Sequence, residues 1–186
     1  MAYLHISMIL PLFLHILAAS STTTDTISAG QTLSISDKLV SKNGRYALGF
    51  FEVGNNSSQN TSNWYLGIWF NSVPKLTQAW VANRDDPFKS PPSSLELKIS
   101  HDGNLVVLNQ PTNSVIWSTQ VKMTRNSTIA MLLDSGNFIL RNVSNSSHTL
   151  WQSFDHPTDT FLPGMKLLRD NITGLNRRLI SRKKLN

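Results

Sequence analysis

The sequence has no cysteine. That excludes disulfides, Cys-ligated metal sites and thiol catalysis, and leaves the fold to be held by its own apolar core. Charge is sparse as well: only 15% of the 186 residues are Asp, Glu, Lys or Arg, and Asn, Ser and Thr fill the polar positions instead. No apolar run after residue 19 approaches the roughly 20 residues of a membrane-spanning helix, and no stretch sustains a helical period. Beyond residue 19 histidine occurs only as His101, His148 and His156, at no metal-ligand spacing. Asp85-Asp86 lacks the spaced oxygen ligands of a calcium loop and reads as a charged hairpin end partnered by Arg84. The chain therefore implies no cofactor. No nucleophile-elbow motif is present. Ser153, Asp155, His156 and Asp159 lie close together in WQSFDHPTD, but neighbours on an extended chain point apart, so closeness in sequence builds no triad. The expectation is a protein that is not an enzyme. Asp155, with Thr158 or Asp159 around Pro157, reads as a set of turn residues that satisfy backbone groups.

What is present points to the outside of the cell. Ile6 to Ala19 is an apolar run followed by small residues. It is too short to span a bilayer and has the form of a signal-peptide core, although the residues before it carry little positive charge. Cleavage is expected between Ala19 and Asp25. Seven N-x-S/T sequons follow, at Asn55, Asn56, Asn60, Asn126, Asn142, Asn145 and Asn171, clustered between the apolar runs where surface loops belong. Asn55 and Asn56 overlap, so one of the two is expected to be occupied, and Asn56 is taken. The net charge of +6 is concentrated at the end of the chain, in Arg169, Arg177, Arg178, Arg182, Lys183 and Lys184. The body before them is nearly neutral, so no nucleic-acid surface is read into it. The tail itself is expected to be solvated and poorly ordered.

Three similar stretches dominate the rest: GRYALGFF…TQAWVANR, DGNLVVLN…SVIWSTQ and DSGNFILRN…HTLWQSF. Each runs from a Gly/Asn turn through a strand-like run to a tryptophan, at Trp80, Trp117 and Trp151, with separations of 37 and 34 residues. Such a period marks one supersecondary unit used repeatedly, none of which can bury its own apolar face. Alternation is clear in Tyr46, Leu48, Phe50, in Trp64, Leu66, Ile68, Phe70, and in Leu95, Leu97, Ile99. Asp25 to Leu39 alternates only loosely, through Ile27, Leu33, Ile35 and Leu39. The fold class is all-β, built of short strands, with the Trp rings expected to meet inside a closed three-fold assembly.

One strand invites a chemical reading. If Ser100 to Leu108 is extended, Ser100, Asp102, Asn104, Val106 and Leu108 share a face. That row suits sugar hydroxyls: Asp accepts, Asn donates and accepts, and Val packs on a ring carbon. D-G-N is equally an ordinary turn entering a strand.

The pieces NGRYALGFF, WYLGIWF, WVANRDDP, DGNLVVLN, IWST, LLDSGNFILR and LWQSFDHPTDTFLPGMKL run in order from about Thr26 to Leu167. Together they resemble the bulb-type (monocot mannose-binding) lectin domain found at the N-terminus of plant S-locus glycoproteins and of G-type lectin receptor-like kinases. The resemblance implies a β-prism of three antiparallel four-stranded sheets with pseudo-three-fold symmetry. It also implies carbohydrate binding of mannose type through the motif Q-x-D-x-N-x-V-x-Y, repeated once per sheet. The second unit offers Ser100, Asp102, Asn104, Val106 and Leu108, keeping Asp, Asn and Val and losing Gln and Tyr. The third offers Leu133, Ser135, Asn137, Ile139 and Arg141, keeping Asn alone. The first has no recognisable copy near Gly44 to Phe51. The expected carbohydrate site is thus Ser100, Asp102, Asn104 and Val106, with Asn137 as a remnant of a second.

The expected organisation is a signal peptide over 1–24, a lectin domain over 25–154, and a partial continuation with a basic tail over 155–186. The receptor family continues into further extracellular modules, a transmembrane helix and a kinase. No glycine-rich ATP loop or HRD motif occurs in this sequence, so a fragment or a soluble decoy is expected. The expected partners are mannose-type glycans or, as the rival reading, a receptor or peptide bound by a protein-recognition module. No membrane span is expected, and the oligomeric state is left open, a dimer included.

Overall fold

The computed structural model describes residues 24–53, 63–89, 94–122, 127–145, 147–169, 171–172, 174 and 176–181. The signal segment and the sequons at Asn55, Asn56, Asn60 and Asn126 lie outside the described residues. Strands β1 (Thr26–Ser28), β2 (Thr32–Leu33) and β3 (Lys38–Val40) come first. The long pair β4 (Tyr46–Val53) and β5 (Asn63–Phe70) and the short β6 (Gln78–Val81) complete the first unit. The second holds β7 (Leu95–Ile99), β8 (Leu105–Asn109) and β9 (Ser114–Ser118). The third holds β10 (Thr128–Leu132), β11 (Phe138–Asn142) and β12 (Thr149–Gln152), followed by a 3₁₀ turn at Ser153–Asp155. β13 (Leu168–Arg169) and β14 (Asn176–Arg177) form the last pair of strands among the described residues.

Each repeat supplies three strands, and the fourth strand of every sheet comes from the N-terminal segment. The sheets are β3-β4-β5-β6, β2-β7-β8-β9 and β1-β10-β11-β12, all antiparallel. The loose alternation of residues 25–39 is therefore three separate strands, each paired to a different sheet. Each sends one side chain into the common core: Ile27, Leu33 and Leu39. The result is the expected β-prism, and its three units superimpose in register. Ile68 faces Trp80, Val107 faces Trp117, and Leu140 faces Trp151. In each unit the ladder shifts register immediately beside that pair, which twists the edge strand and turns its tryptophan inward.

One apolar cluster draws on all three sheets, including Leu48, Leu66, Leu97, Leu105, Leu132 and Phe138. The tryptophans meet as expected. Trp151 stands between the other two, with ring centroids 5.8 Å from Trp80 and 5.9 Å from Trp117, both edge-to-face. That geometry sets the positive ring edge against the negative face. Trp80 is buried, and its indole N–H donates to the His156 carbonyl at 2.8 Å; Trp117 and Trp151 are only partly covered.

Two expectations need correction. The first unit's counterpart of the sugar-motif strand is β5, not the Gly44–Phe51 region. Its register places Asn63, Tyr65, Gly67 and Trp69 where the second unit has Asp102, Asn104, Val106 and Leu108. In addition, the described stretch 176–181 of the tail is bonded to the body rather than free, while Arg182, Lys183 and Lys184 lie outside the described residues. Arg177 Nε pairs with Asp155 Oδ1 at 2.6 Å, the Ile180 N–H donates to the Thr158 carbonyl, and Arg84 donates to the Ile180 carbonyl at 3.0 Å. One half-buried charge pair and main-chain bonds hold this stretch.

If Trp151 bridges two of the three units, Trp151→Ala removes both edge-to-face contacts. Chemical denaturation should show a loss of about 3–5 kcal/mol, larger than for Trp117→Ala, which breaks one of them.

Candidate functional site

The turn between β7 and β8 is closed by main-chain bonds. The Ser100 N–H donates to the Asn104 carbonyl at 2.8 Å, and the Gly103 N–H donates to the Ser100 carbonyl at 2.9 Å. Gly103 sits at φ 84°, a left-handed conformation that side chains with a Cβ resist. This geometry lifts Asp102 outward, where its side chain is exposed. Asp102 Oδ1 accepts the Asn104 N–H at 3.1 Å and the Ser100 hydroxyl, while Oδ2 accepts the Asn104 amide at 3.0 Å. The Ser100 hydroxyl, then the Asn104 side chain and N–H, hold the Asp102 carboxyl below the usual carboxylate range by favouring its charged form.

Asn104 is committed to the fold. It is 8% exposed. Its Oδ1 accepts the Val121 N–H at 2.7 Å and the Thr119 hydroxyl at 3.0 Å. Its Nδ2 donates to Asp102 and to the Val121 carbonyl at 3.2 Å. Two donors and two acceptor sites are all an amide has, so every one is filled by this chain. The side chain pairs with residue 121 as a strand would, tying the segment after β9 to the turn. Thr119 completes the clamp by accepting the Leu105 N–H. Val106 lies on the same outer face but is only 3% exposed. The open polar group of the row is the Asp102 carboxylate.

The third unit repeats the clamp. Asn137 Oδ1 accepts from the Ser153 hydroxyl at 3.2 Å and from the Phe154 N–H at 3.3 Å, and its Nδ2 donates to Gln152 at 2.9 Å. Ser153 accepts the Phe138 N–H, as Thr119 accepts that of Leu105. Both hydroxyls lie two residues after a repeat tryptophan, in W-S-T and W-Q-S. That shared spacing was the sequence signal for them, and it was not used. From Asn137 the chain of bonds runs through Gln152 and Asp155 to Arg177, along a cleft of about 560 Å³. Ser135 lines the same cleft. In the first unit the outer face is capped by rings. Phe51 stacks on Tyr65 and meets Trp69 edge-on, and a Cβ on Gly67 would stand 2.8 Å from the Phe51 ring. The absent side chain at 67 is what lets the ring lie flat there.

Ser153 and His156 are engaged with other partners. Ser153 is bound to Asn137, and His156 stacks on Trp151 at 5.4 Å. Burial against that ring lowers the His156 pKa, with Arg177 adding to the shift and Asp155 opposing it. Asp155 binds the side chains of Gln152 and Arg177 rather than backbone groups, and the Thr158 hydroxyl has no partner among the described residues. The turn role expected of Asp155 is thereby corrected, and of the pair Thr158 or Asp159 the Thr158 hydroxyl does not take it. Arg84 pairs with Asp85 as expected, at 3.1 Å. Among the described residues no three His, Asp or Glu side chains could hold a metal ion, and no helix is long and apolar enough to cross a membrane. Of the described sequons, Asn145 and Asn171 are exposed and Asn142 is half-buried. Asn145 Oδ1 accepts the hydroxyl of its own sequon serine, Ser147, at 2.7 Å.

The two motif residues should separate experimentally. Asn104→Ala strands the Val121 N–H and carbonyl and should cost about 1–3 kcal/mol in chemical denaturation; Asp102→Ala, on the surface, should cost less. Because the folded Asp102 pKa is depressed, its stabilising contribution is complete above the unfolded value near 3.9. It is lost as pH falls through the lower folded value. Carbon-detected NMR titration should place its midpoint below 3.9, and Asp102→Asn should flatten that part of the acid limb of stability.

Comparison with known proteins agrees with the fold. A family profile described as D-mannose binding lectin matches residues 77–183. The chain is 43% identical over 170 residues to a putative inactive G-type lectin S-receptor-like serine/threonine-protein kinase of Arabidopsis thaliana, covering 89% of this chain and 29% of the relative. It is 43% identical to the S-locus-specific glycoprotein S6 of Brassica oleracea, covering 95% of this chain and 40% of that protein. The chain thus spans less than half the length of these relatives. Among solved structures, a monomeric monocot mannose-binding lectin from Gastrodia elata aligns with a TM-score of 0.51 at 21% identity, over 70% of this chain and 96% of that one. At that identity the match speaks for the fold. The repeat, the prism and the family match lead to one conclusion: the chain belongs to the D-mannose binding lectin family.

Proposed function

We propose that this chain is a secreted, non-catalytic recognition domain that binds mannose-type glycans weakly, with Asp102 as the principal polar contact. The observation that carries the reading is the ionised, outward Asp102 carboxylate, braced by Ser100 and Asn104 at the Asp position of the lectin motif. A carboxylate offers about four lone-pair sites. Three are used within the turn, so roughly one remains for a sugar hydroxyl. Asn104 and Asn137 act as clamps behind the binding face rather than as donors to the sugar. Ser100 braces the carboxylate, and Val106 contributes a small apolar floor. An affinity on the order of millimolar or weaker follows.

The rest of the assignment is consistent with an extracellular domain. Residues 1–24 serve as the signal peptide, and 25–154 as the lectin domain, with 155–186 as its continuation. Asn142, Asn145 and Asn171 carry glycans, as do Asn56, Asn60 and Asn126. A second reading, protein recognition by a domain that no longer binds sugar, is favoured by one observation. The Asn104 amide spends all four of its hydrogen-bonding sites inside the fold, and the Asn137 amide spends three.

The test is NMR titration of the secreted protein with mannose-type oligosaccharides, beside Asp102→Ala. Shifts confined to residues 100–106 and abolished in the variant are expected. A folded wild type with no shifts there, or an unaffected Asp102→Ala, would sink the glycan reading and leave protein recognition. Asn104→Ala is unsuitable as the control because it disturbs the clamp.

A further inference from the structure

The cleft of the third unit is completed by the C-terminal continuation. β13 and β14 pair with Leu168 opposite Arg177, and Lys166, Leu168 and Arg177 line one cleft with Ser135, Gln152 and Asp155. Its volume, about 560 Å³, falls within the roughly 300–1,000 Å³ of small-ligand sites.

The lining is rich in unspent donors. Arg177 commits only Nε, which donates to Asp155 Oδ1 at 2.6 Å. A guanidinium carries about five N–H donors in one plane, so both terminal nitrogens stay open and that single bond fixes the plane of the fork. Lys166 is exposed and pairs with no carboxylate among the described residues. Ser135 is exposed, and its hydroxyl oxygen accepts the Asn137 N–H at 3.3 Å, which leaves the O–H free to donate. One acceptor stands among these donors. Asp155 Oδ1 takes both Gln152 and Arg177, and Oδ2 takes no described partner. The open atoms are within reach of solvent: the Arg177 and Asp155 side chains are 19% and 24% exposed, and neither has an unpaired atom that is shut off.

This lining selects by charge and by donor pattern. Lys166 and Arg177 against Asp155 leave the cleft one positive charge in surplus. Paired donors in a fixed plane match a carboxylate, whose single charge balances that surplus. A phosphate monoester brings nearly two charges at neutral pH and overfills it. A neutral sugar supplies no counter-charge. An acidic peptide side chain supplies the carboxylate but no hydroxyl, and so meets Asp155 Oδ2 only as a like charge. A sugar ring that carries a carboxylate answers both, with the acid on the fork and a hydroxyl donated to Asp155.

We propose that this cleft binds a hexuronate residue of an acidic glycan, its carboxylate held by Arg177 and Lys166 and a ring hydroxyl held by Asp155 Oδ2. The site shares no residue with the Ser100–Val106 turn and needs the continuation beyond residue 154. It rests on the glycan-recognition reading for its ligand class alone.

The experiment follows the backbone amides of Ser135 and Gln152 and the Arg177 Nε–H by NMR at neutral pH. Methyl glucuronoside and methyl galacturonoside are added, beside methyl glucoside, methyl galactoside and N-acetyl-aspartate methylamide, to wild type, Lys166→Gln, Arg177→Lys and Asp102→Ala. At least one uronide should move these signals, about 10-fold more tightly than its neutral counterpart, and added salt should weaken the response. Arg177→Lys keeps the charge and loses the fork, so binding read from the two amides should fall about 10-fold. An unchanged Ile180 N–H signal in that variant shows that the tail is still docked. Lys166→Gln, on the surface, should weaken binding about 2- to 5-fold without lowering the melting temperature. Asp102→Ala should leave it intact. No response to either uronide overturns the proposal, as does an equal response to the neutral glycosides. Equal binding of the aspartate derivative also overturns it and assigns the cleft to acidic peptides. So does a response unchanged in both Lys166→Gln and Arg177→Lys, or one lost in Asp102→Ala. A uronide response here with no mannoside shifts at residues 100–106 supports this site while defeating the motif reading; the opposite pattern spares the motif and defeats this site.

Discussion

Everything in this domain depends on sharing one core among three units, none of which closes alone. Each repeat brings three strands and one inward tryptophan, and leaves a sheet short of a strand on its inner side. The N-terminal segment makes good that deficit three times, through Ile27, Leu33 and Leu39. With no disulfide in the chain, apolar burial and the ladders of β1, β2 and β3 carry the closure. The edge-to-face contacts of Trp151 then lock the opposite ends of the units together.

The asparagine clamps put side-chain amides to structural use. A side-chain amide can satisfy a peptide group in the same geometry that it would offer a sugar. In units two and three Asn104 and Asn137 bind the segment that leaves the edge strand, helped by Thr119 and Ser153. In the first unit the same place on the sheet is occupied by Phe51, Tyr65 and Trp69. The three faces of the prism have therefore diverged chemically on a common frame: an open carboxylate, a cleft with a paired Asp155 and Arg177, and an aromatic cap.

Much of the frame was legible in the sequence. Alternation located β4, β5 and β7, and the tryptophan period gave the number of units, because both report directly on which side chains face inward. The threading of residues 25–39 through three sheets was not legible. Strands of two or three residues are too short to show a period of two, and their partners lie far along the chain, as with Thr26 and Met131. The same distance hid the role of Asn104, whose partners Thr119 and Val121 come together with it only through the β8–β9 pairing. The stretch 176–181 was misread because its charge was taken as solvated, whereas Arg177 pairs with Asp155 and the Ile180 main chain is bonded to Thr158 and Arg84. The first unit's motif strand was sought in β4, where the Gly44 turn is conspicuous, whereas the register that identifies β5 exists only in three dimensions.

The threading also sets an order of assembly. A ribosome delivers β1 first, then β2, then β3, but the sheets become available in the opposite sequence. β3 finds β4 at once, and the first sheet is complete when Val81 has emerged. β2 must wait for β7, and β1 must wait for β10, which lies about a hundred residues further on. Until then the earliest strand is an unpaired edge with an apolar side chain. Such non-local closure slows folding and prolongs exposure to wrong partners. The pairing of β1 with β10 is thus the longest-range strand pairing of the three sheets, which makes the few residues around Ile27 a latch between distant parts of the domain.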